Sequence, residues 1–292
     1  MKLERHIPKR PPLSLFVRMT LLSLRDIFTP LSKPTREKLE IRPDELRVWM
    51  IGHATVLINF FGQVVLTDPV LSSWLPFPRR LVAAAYSADE LPPIDYLLIS
   101  HAHLDHCHLK SLKRLSPKVS TAVLPQNCSD LVRGMGYRRV IELQPGETHL
   151  GDVTIKALKV EHWGLRYPWE RIPRGYNGYL LERKGKSVFF AGDTGYGKFF
   201  QELGIKYQVD CALLPISAYN PPMFREYHLH PGDAIRAFED LRARHLIPIH
   251  WGNFRLSMEP MSEPINLLTH LVQKEGIESR VHILQNGESF KV

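Results

Sequence analysis

The feature that most constrains the fold is a succession of short apolar segments rich in β-branched residues, which begins at Leu46. Segments of this length and composition are typical of buried strands. Turn sequences such as FFGQ and ERKGKS join some of them as hairpins, and helical patterns separate others. We therefore predict an α/β fold with two mixed β-sheets and helices packed outside them. The helical patterns lie at Leu109 to Leu115, Cys128 to Met135, Lys198 to Leu203, Pro231 to Arg244 and Pro264 to Glu275.

The first 45 residues differ in character from the rest of the chain. Residues 1–10 are basic, and the apolar stretch from Leu13 to Phe28 follows them. A connector rich in proline and charge, Thr29 to Glu45, leads into the strand-like segments. We predict two parts: an amphipathic basic segment with its linker at 1–45, and the main folded domain at 46–292.

The apolar stretch is predicted to be an amphipathic helix. Val17, Leu21, Leu24 and Phe28 share one helical face, while charged residues make the stretch too short and too polar to span a bilayer. No small-residue cleavage site follows it, which argues against a signal peptide. Two interpretations stay open: the helix packs on the body of the protein, or it lies on an anionic membrane surface.

Charge and cysteine content limit the partners and the cellular compartment that we expect for the protein. The net charge of +8 suits an anionic partner, although it does not distinguish a membrane from a phosphorylated substrate. The three cysteines have neither metal-finger nor disulfide spacing. We expect a cytoplasmic protein, peripheral on the inner face of the membrane if the helix binds lipid, and a homodimer is left open.

One motif carries most of the chemical information, the sequence SHAHLDH that follows the apolar segment Ile94 to Ile99. His101 and His103 are two residues apart, so in extended chain they point the same way and can bind one ion. Asp105 and His106 follow as the chain turns and can bind a second. Imidazole and carboxylate ligands suit Zn²⁺, although Mn²⁺ and Fe²⁺ stay open. We interpret Cys107 and His108 as the start of a helix, not as ligands.

Three further residues that can bind metal follow strand-like segments, namely His162, Asp193 and His250. Strand ends are where a rigid scaffold usually presents reactive groups. Together with the motif, these residues are enough for two metal ions, and Asp193 is the natural bridge between them. Two ions about 3.5–4 Å apart can share a hydroxide and stabilise both oxygens of a displacement.

The motifs SHAHLDH, VEHWG, FFAGDTGY and IPIHWGNF resemble the metallo-β-lactamase superfamily. The similarity extends from Leu46 to Val292 and is greatest to its N-acylphosphatidylethanolamine-hydrolysing phospholipase D group and bacterial relatives. This resemblance implies an αββα sandwich with two zinc ions. It assigns His101, His103 and His162 to one ion and Asp105, His106 and His250 to the other, with Asp193 bridging. The redox di-iron branch of the superfamily usually carries an acidic residue at the position of His103, so the resemblance favours hydrolysis over oxygen chemistry.

The resemblance also suggests residues around the metal ligands. His53 and Asp68 are expected beside the metal loops, where Asp68 would orient a ligand and His53 would make a structural hydrogen bond. His228 matches a family histidine that faces the substrate phosphate, whereas His230 replaces an acidic or amide residue, so either histidine could act. Asp105 and His228 are the predicted catalytic residues. The loop after His162 is either a flap with ordinary packing or a substrate wall, and the predicted substrate contacts are Trp163, Arg166, Tyr219 and His230.

These observations predict a zinc-dependent phosphodiesterase that acts on a phospholipid-type substrate. A lactonase or another carboxylic-ester hydrolase is the alternative at the same site. A nuclease is less favoured, because no added nucleic-acid domain is evident and we expect no nucleic acid partner. A non-catalytic scaffold bound to a membrane is the remaining alternative, and the complete ligand set argues against it.

Overall fold

The computed structural model describes residues 13–75, 78–167 and 169–292, with side chains in its first helix from Val17 onward. The basic residues predicted to flank that helix on its N-terminal side lie outside the described residues. No described helix is long and apolar enough to cross a bilayer. The helices are α1 (Leu13–Ile27), α2 (Leu109–Leu115), α3 (Phe199–Lys206), α4 (Pro231–Asp240) and α5 (Glu263–Glu275).

Two mixed sheets form the centre of the fold, as the sequence predicts. The strands are β1 (Leu46–Gly52), β2 (Thr55–Phe60), β3 (Gln63–Thr67), β4 (Ile94–Leu98), β5 (Val119–Pro125), β6 (Arg139–Leu143), β7 (Thr148–His149), β8 (Thr154–Leu158), β9 (Gly178–Arg183), β10 (Lys186–Phe190), β11 (Cys211–Pro215), β12 (His245–Ile249) and β13 (Ser289–Lys291). The first sheet has seven strands in the order β13-β1-β2-β3-β4-β5-β6, and the second has six in the order β12-β11-β10-β9-β8-β7. Strands β3 to β6 run parallel to one another, as do β10 to β12, and the remaining neighbours are antiparallel.

The strands are apolar on both faces because each sheet is covered on both sides. In β1, Val48 and Met50 belong to the core between the sheets, whereas Trp49 and Ile51 belong to the core on the other face, under α2. This alternation follows from the two-residue period of a strand. A third core lies on the outer face of the second sheet, beneath α3, α4 and α5. The layers are therefore helix, sheet, sheet and helix.

The local signals for the helices differ in strength. Pro231 begins α4 and His230 caps it by accepting a hydrogen bond from the Gly232 amide at 3.2 Å. Gly276 ends α5 in a left-handed conformation with φ of 67°. His108 is the N-cap residue of α2, as predicted, and accepts from the Ser111 amide.

Two predicted helices differ from the structure. The pattern from Cys128 to Met135 was wrong as an α-helix, since only a short 3-10 turn forms at Ser129–Val132. Its first two backbone amides, at residues 128 and 129, and the preceding amide of Asn127 donate to the carboxylate of Glu142 instead. Helix α4 ends at Asp240, before the predicted Arg244, because the chain turns at Arg242 with φ of 52° to enter β12.

The topology places the carboxyl ends of several strands at one edge of the sandwich. Asp68 follows β3, His101 lies three residues after β4, Asp193 lies three residues after β10, and His250 follows β12. Loops at the carboxyl ends of parallel strands form the crevice where α/β proteins bind ligands. The chemically distinctive residues of the sequence therefore converge on this edge.

Candidate metal centre

Three histidines form the first cluster of the centre. His101 Nε2 lies 2.8 Å from His103 Nδ1, and His162 Nε2 lies 3.3 Å from the same atom. Ligand atoms around a tetrahedral zinc with bonds of about 2.0–2.1 Å are about 3.3 Å apart. The three ring nitrogens are therefore spaced as ligands of one ion.

The second cluster combines two carboxylates and two histidines. Asp193 Oδ2 lies 3.1 Å from His106 Nε2 and 3.2 Å from His250 Nε2. Asp105 Oδ2 lies 3.3 Å from each of the same two nitrogens. Asp193 Oδ2 is also 4.0 Å from His101 Nε2, so this carboxylate lies between the clusters as the sequence predicts.

Each of four histidines is held at Nδ1 by a group outside the clusters, which leaves Nε2 directed inward. Such hydrogen bonds fix both the tautomer and the orientation of a ligand. The partners are the Ser100 hydroxyl for His101 (2.9 Å), Asp68 Oδ2 for His106 (2.6 Å), the Tyr227 carbonyl for His162 (3.1 Å) and the Ser217 hydroxyl for His250 (3.3 Å). His103 is reversed and directs Nδ1 inward.

Asp68 forms hydrogen bonds with two residues of the metal loop, Ser100 and His106. Its Oδ1 accepts from the Ser100 amide at 2.7 Å, and its Oδ2 accepts from the Ser100 hydroxyl and from His106. The carboxylate is fully buried. It therefore orients one histidine directly and a second through Ser100. Ser100 directly precedes the ligand His101 in the sequence, whereas no sequence signal marks Ser217.

The electrostatics of the two clusters differ. Burial lowers the pKa of His101 and of His162 well below the usual range, and it lowers that of His103 to about 4. Burial would also lower the pKa of His106, but Asp193, Asp105 and Asp68 outweigh it and raise that pKa. The imidazoles of the first cluster therefore stay neutral, whereas the carboxylates of the second cluster favour the binding of a proton or a cation.

The described atoms fit two divalent cations. His106 Nε2 and Asp193 Oδ1 are buried without a hydrogen-bond partner. Buried polar atoms without partners are uncommon, and each calls for an explanation such as an ion or a water. The first cluster offers three nitrogens, and the second offers two nitrogens and two carboxylates, which is a donor set typical of zinc. Metal binding would displace the protons that the second cluster otherwise retains.

Three residues of this centre have a strained backbone. His53, Asp68 and His250 have φ values of 63°, 33° and 65°, in the left-handed region that non-glycine residues rarely adopt. Strained residues of this kind persist where the surrounding structure fixes them, often at functional sites. His53 is buried, and its Nε2 lies 3.1 Å from Asp105 Oδ2. Its position also makes His53 a candidate metal ligand of the second cluster.

Arg166 supports the metal loop from behind. It is nine-tenths buried, and its Nη1 donates to the carbonyl oxygens of Ala102 and Cys107 at 2.9 and 2.8 Å. These carbonyls lie on either side of His103, Asp105 and His106 along the chain. We therefore assign Arg166 to the loop, in place of the substrate contact predicted from the sequence.

The other predicted substrate residues lie at different distances from the clusters. The Trp163 ring lies 4.1 Å from the His103 ring, edge to face. His228 Nε2 lies 3.5 Å from Asp193 Oδ2, while His230 caps α4 and contacts the Tyr219 ring at 4.8 Å. The Tyr219 hydroxyl donates to Glu263 at 2.7 Å. Of the two histidines left open by the sequence, His228 is the one that reaches the clusters.

A comparison with protein families matches residues 63–251 to the "Beta-lactamase superfamily domain". This range contains every residue of the two clusters except His53.

Relatives and solved structures agree with the family match. An uncharacterized protein of Mycobacterium tuberculosis is 30% identical over 245 residues, which cover 80% of this chain but only 65% of the relative. An N-acyl-phosphatidylethanolamine-hydrolyzing phospholipase D of Caenorhabditis elegans is 29% identical, with 85% of this chain and 75% of the relative covered. A metallo hydrolase from the archaeon Ignicoccus hospitalis shares the fold with a TM-score of 0.65 at 20% identity, covering 85% of this chain and 98% of that protein.

Proposed function

Because the chain belongs to the metallo-β-lactamase superfamily of metal-dependent hydrolases, we propose that it is a zinc-dependent phosphodiesterase that acts on a phospholipid-type substrate. The similarity to the phospholipase D of Caenorhabditis elegans supports the phospholipid class. The substrate class, zinc as the metal and two ions in the centre are all part of this proposal.

The observation that carries the proposal is the position of His228. Its Nδ1 lies 3.3 Å from the Phe224 carbonyl, so its Nε2 is directed toward the bridging carboxylate of Asp193. The side chain is 16% exposed, which places it at the mouth of the centre and not within its wall. A histidine outside the ligand set at such a mouth can donate a proton to the leaving oxygen of a substrate.

When bound, divalent cations supply Lewis acidity that activates water near neutral pH and offsets charge on phosphoryl oxygens. The protein's own residues do the rest. Asp105, which is partly exposed, orients the attacking water toward phosphorus and accepts the proton that this water loses as the new bond forms, and Asp193 keeps the two clusters at a fixed separation. As the bond from phosphorus to the alcohol oxygen breaks, Nε2 of His228 donates its proton to that oxygen.

The test compares wild type with two variants on an N-acyl phosphatidylethanolamine, bis(p-nitrophenyl) phosphate and a lactone. We expect His101→Ala plus His103→Ala to lose both zinc content and turnover. We expect His228→Gln to retain zinc and to lose roughly 10²–10⁴-fold in kcat on the phospholipid. The loss should be smaller on the aryl diester, whose leaving group needs no proton.

His270→Gln is the matched control, since His270 is an exposed histidine on α5. Full diesterase activity and zinc content in the double variant would refute the metal centre. Faster turnover of the lactone than of either diester would instead support the carboxylic-ester alternative.

A further inference from the structure

Helix α1 carries its apolar face outward. Val17, Leu21, Leu24 and Phe28 are 49%, 60%, 45% and 86% exposed, although they share one face of the helix and its C-terminal extension. A helix that stabilises a globular body usually buries its apolar stripe. The orientation of α1 is the reverse of that arrangement.

The opposite face of α1 is attached to the body through polar groups. Ser23 and Asp26 are buried, and Asp26 forms an ion pair with Arg255, whose Nε lies 2.7 Å from Oδ2. Both partners of this ion pair are largely withdrawn from solvent. The helix is therefore oriented by a specific contact, and the exposure of its apolar face is a consequence of that contact.

Arg79 attaches the C-terminal end of the helix. Its Nη1 donates to the carbonyl oxygens of Ile27 and Thr29, which would otherwise lack partners at a helix end. The same guanidinium lies over the ring of Trp74, 5.5 Å from its centroid. Trp74 is 50% exposed, so it extends the outward apolar surface beyond Phe28.

The segments that hold α1 also border the metal centre. Arg80, next to Arg79, is buried, and its Nη1 donates to Asn253 at 2.7 Å. Phe254, next to Arg255, contacts the His53 ring edge to face at 5.2 Å. Neighbouring residues of an extended chain point to opposite sides. In the pairs Arg79–Arg80 and Phe254–Arg255, one residue therefore contacts α1 while the other faces the rim of the metal centre.

The charge around this surface is positive. Arg18 and Arg25 lie on α1 beside the apolar face, are exposed, and form no ion pair with the described residues. The chain as a whole carries a net charge of +8. Apolar side chains flanked by arginine are complementary to a bilayer surface that contains anionic lipid.

We propose that the outward face of α1, together with Trp74, docks on an anionic lipid surface and holds the rim of the metal centre against it. The surface then also supplies the substrate, and only this part rests on the proposed function. The sequence left open whether the helix packs on the body or lies on a membrane surface. In this arrangement it does both, because one face packs on the body and the other binds lipid.

The test measures co-sedimentation with vesicles of phosphatidylcholine and phosphatidylglycerol. We expect Leu21→Gln plus Leu24→Gln to weaken binding roughly hundredfold. We expect Arg18→Gln plus Arg25→Gln to weaken it roughly tenfold, and only on vesicles that contain phosphatidylglycerol. Leu150→Gln plus Ile205→Gln is the matched control, because both residues are exposed and lie outside α1. It should bind as wild type does.

Each variant is also assayed on soluble bis(p-nitrophenyl) phosphate, whose turnover should be unchanged. Vesicle binding that depends on α1 in a protein that hydrolyses no diester would refute the proposed function and leave the docking surface intact. Equal vesicle binding by wild type and the Leu21 and Leu24 variant would overturn the docking surface. So would a wild-type dimer that the same variant converts to a monomer, since a second copy of the chain would then cover the face.

Discussion

At the scale of single residues, the centre depends on side chains that never face the substrate. Asp68 and Ser100 orient His106 and His101, and Arg166 holds the carbonyls on both sides of the metal loop. Such partners commonly contribute 10- to 100-fold, or about 1.4–2.7 kcal/mol, to metal affinity. Arg166 is the informative case, because the sequence predicts a different role for it.

We predict that Arg166→Ala lowers zinc affinity by roughly tenfold and the free energy of unfolding by about 2 kcal/mol. The reason is that two carbonyl oxygens lose a charged donor. Arg166→Lys, which keeps one donor, should restore part of both losses. Isothermal titration with zinc and urea unfolding measure the two effects.

Arg138→Ala serves as the control, since Arg138 is an exposed arginine outside this loop. A phosphate contact would behave differently: KM for the diester would rise while zinc affinity stayed the same. That result would return Arg166 to the substrate site.

At the scale of elements, the turn after β10 brings the two sheets together at the centre. Gly192 has φ of 61°, and a Cβ atom there would lie 2.5 Å from Ser100 Cβ. Glycine therefore serves two purposes at this position: it adopts the left-handed conformation, and it leaves room for the serine that orients His101. Asp193 follows directly, so its position depends on this turn.

We predict that Gly192→Ala lowers the free energy of unfolding by roughly 2–4 kcal/mol, from backbone strain plus the clash with Ser100. Zinc affinity should fall as well, because Ser100 and Asp193 are both displaced. Gly185→Ala is the control, since Gly185 has φ of 73° but nothing within 4 Å of the added atom. It should cost only about 1 kcal/mol. Equal losses in the two variants would show that the close approach to Ser100 has no energetic consequence.

At the scale of the whole molecule, the metal centre joins the two sheets. The first sheet contributes the loops after β3 and β4, and the second contributes the loops after β8, β10 and β12. Ions bound between these loops would stabilise the folded state by mass action, because the unfolded chain does not hold the ligands together.

We predict that zinc at about 100 times its dissociation constant raises the free energy of unfolding by about 2.7 kcal/mol. For a chain of this size that corresponds to roughly 4–5 °C in Tm. Differential scanning calorimetry of zinc-loaded and chelator-treated protein measures the shift. The His101→Ala plus His103→Ala variant should show a smaller shift. An identical Tm with and without zinc in wild type would argue against a centre that spans both sheets.

Much of this arrangement is encoded locally in the sequence. The apolar β-rich segments determine the strands, and HxHxDH after a buried strand identifies the metal loop, because strand period and ligand chemistry depend only on nearby residues. Only the tertiary structure decided which nitrogen of each histidine faces inward, that Arg166 holds a loop, and that the apolar face of α1 points outward. Those outcomes depend on partners far apart in the chain, such as Asp26 with Arg255 and Asp68 with His106, and no local pattern specifies such pairs.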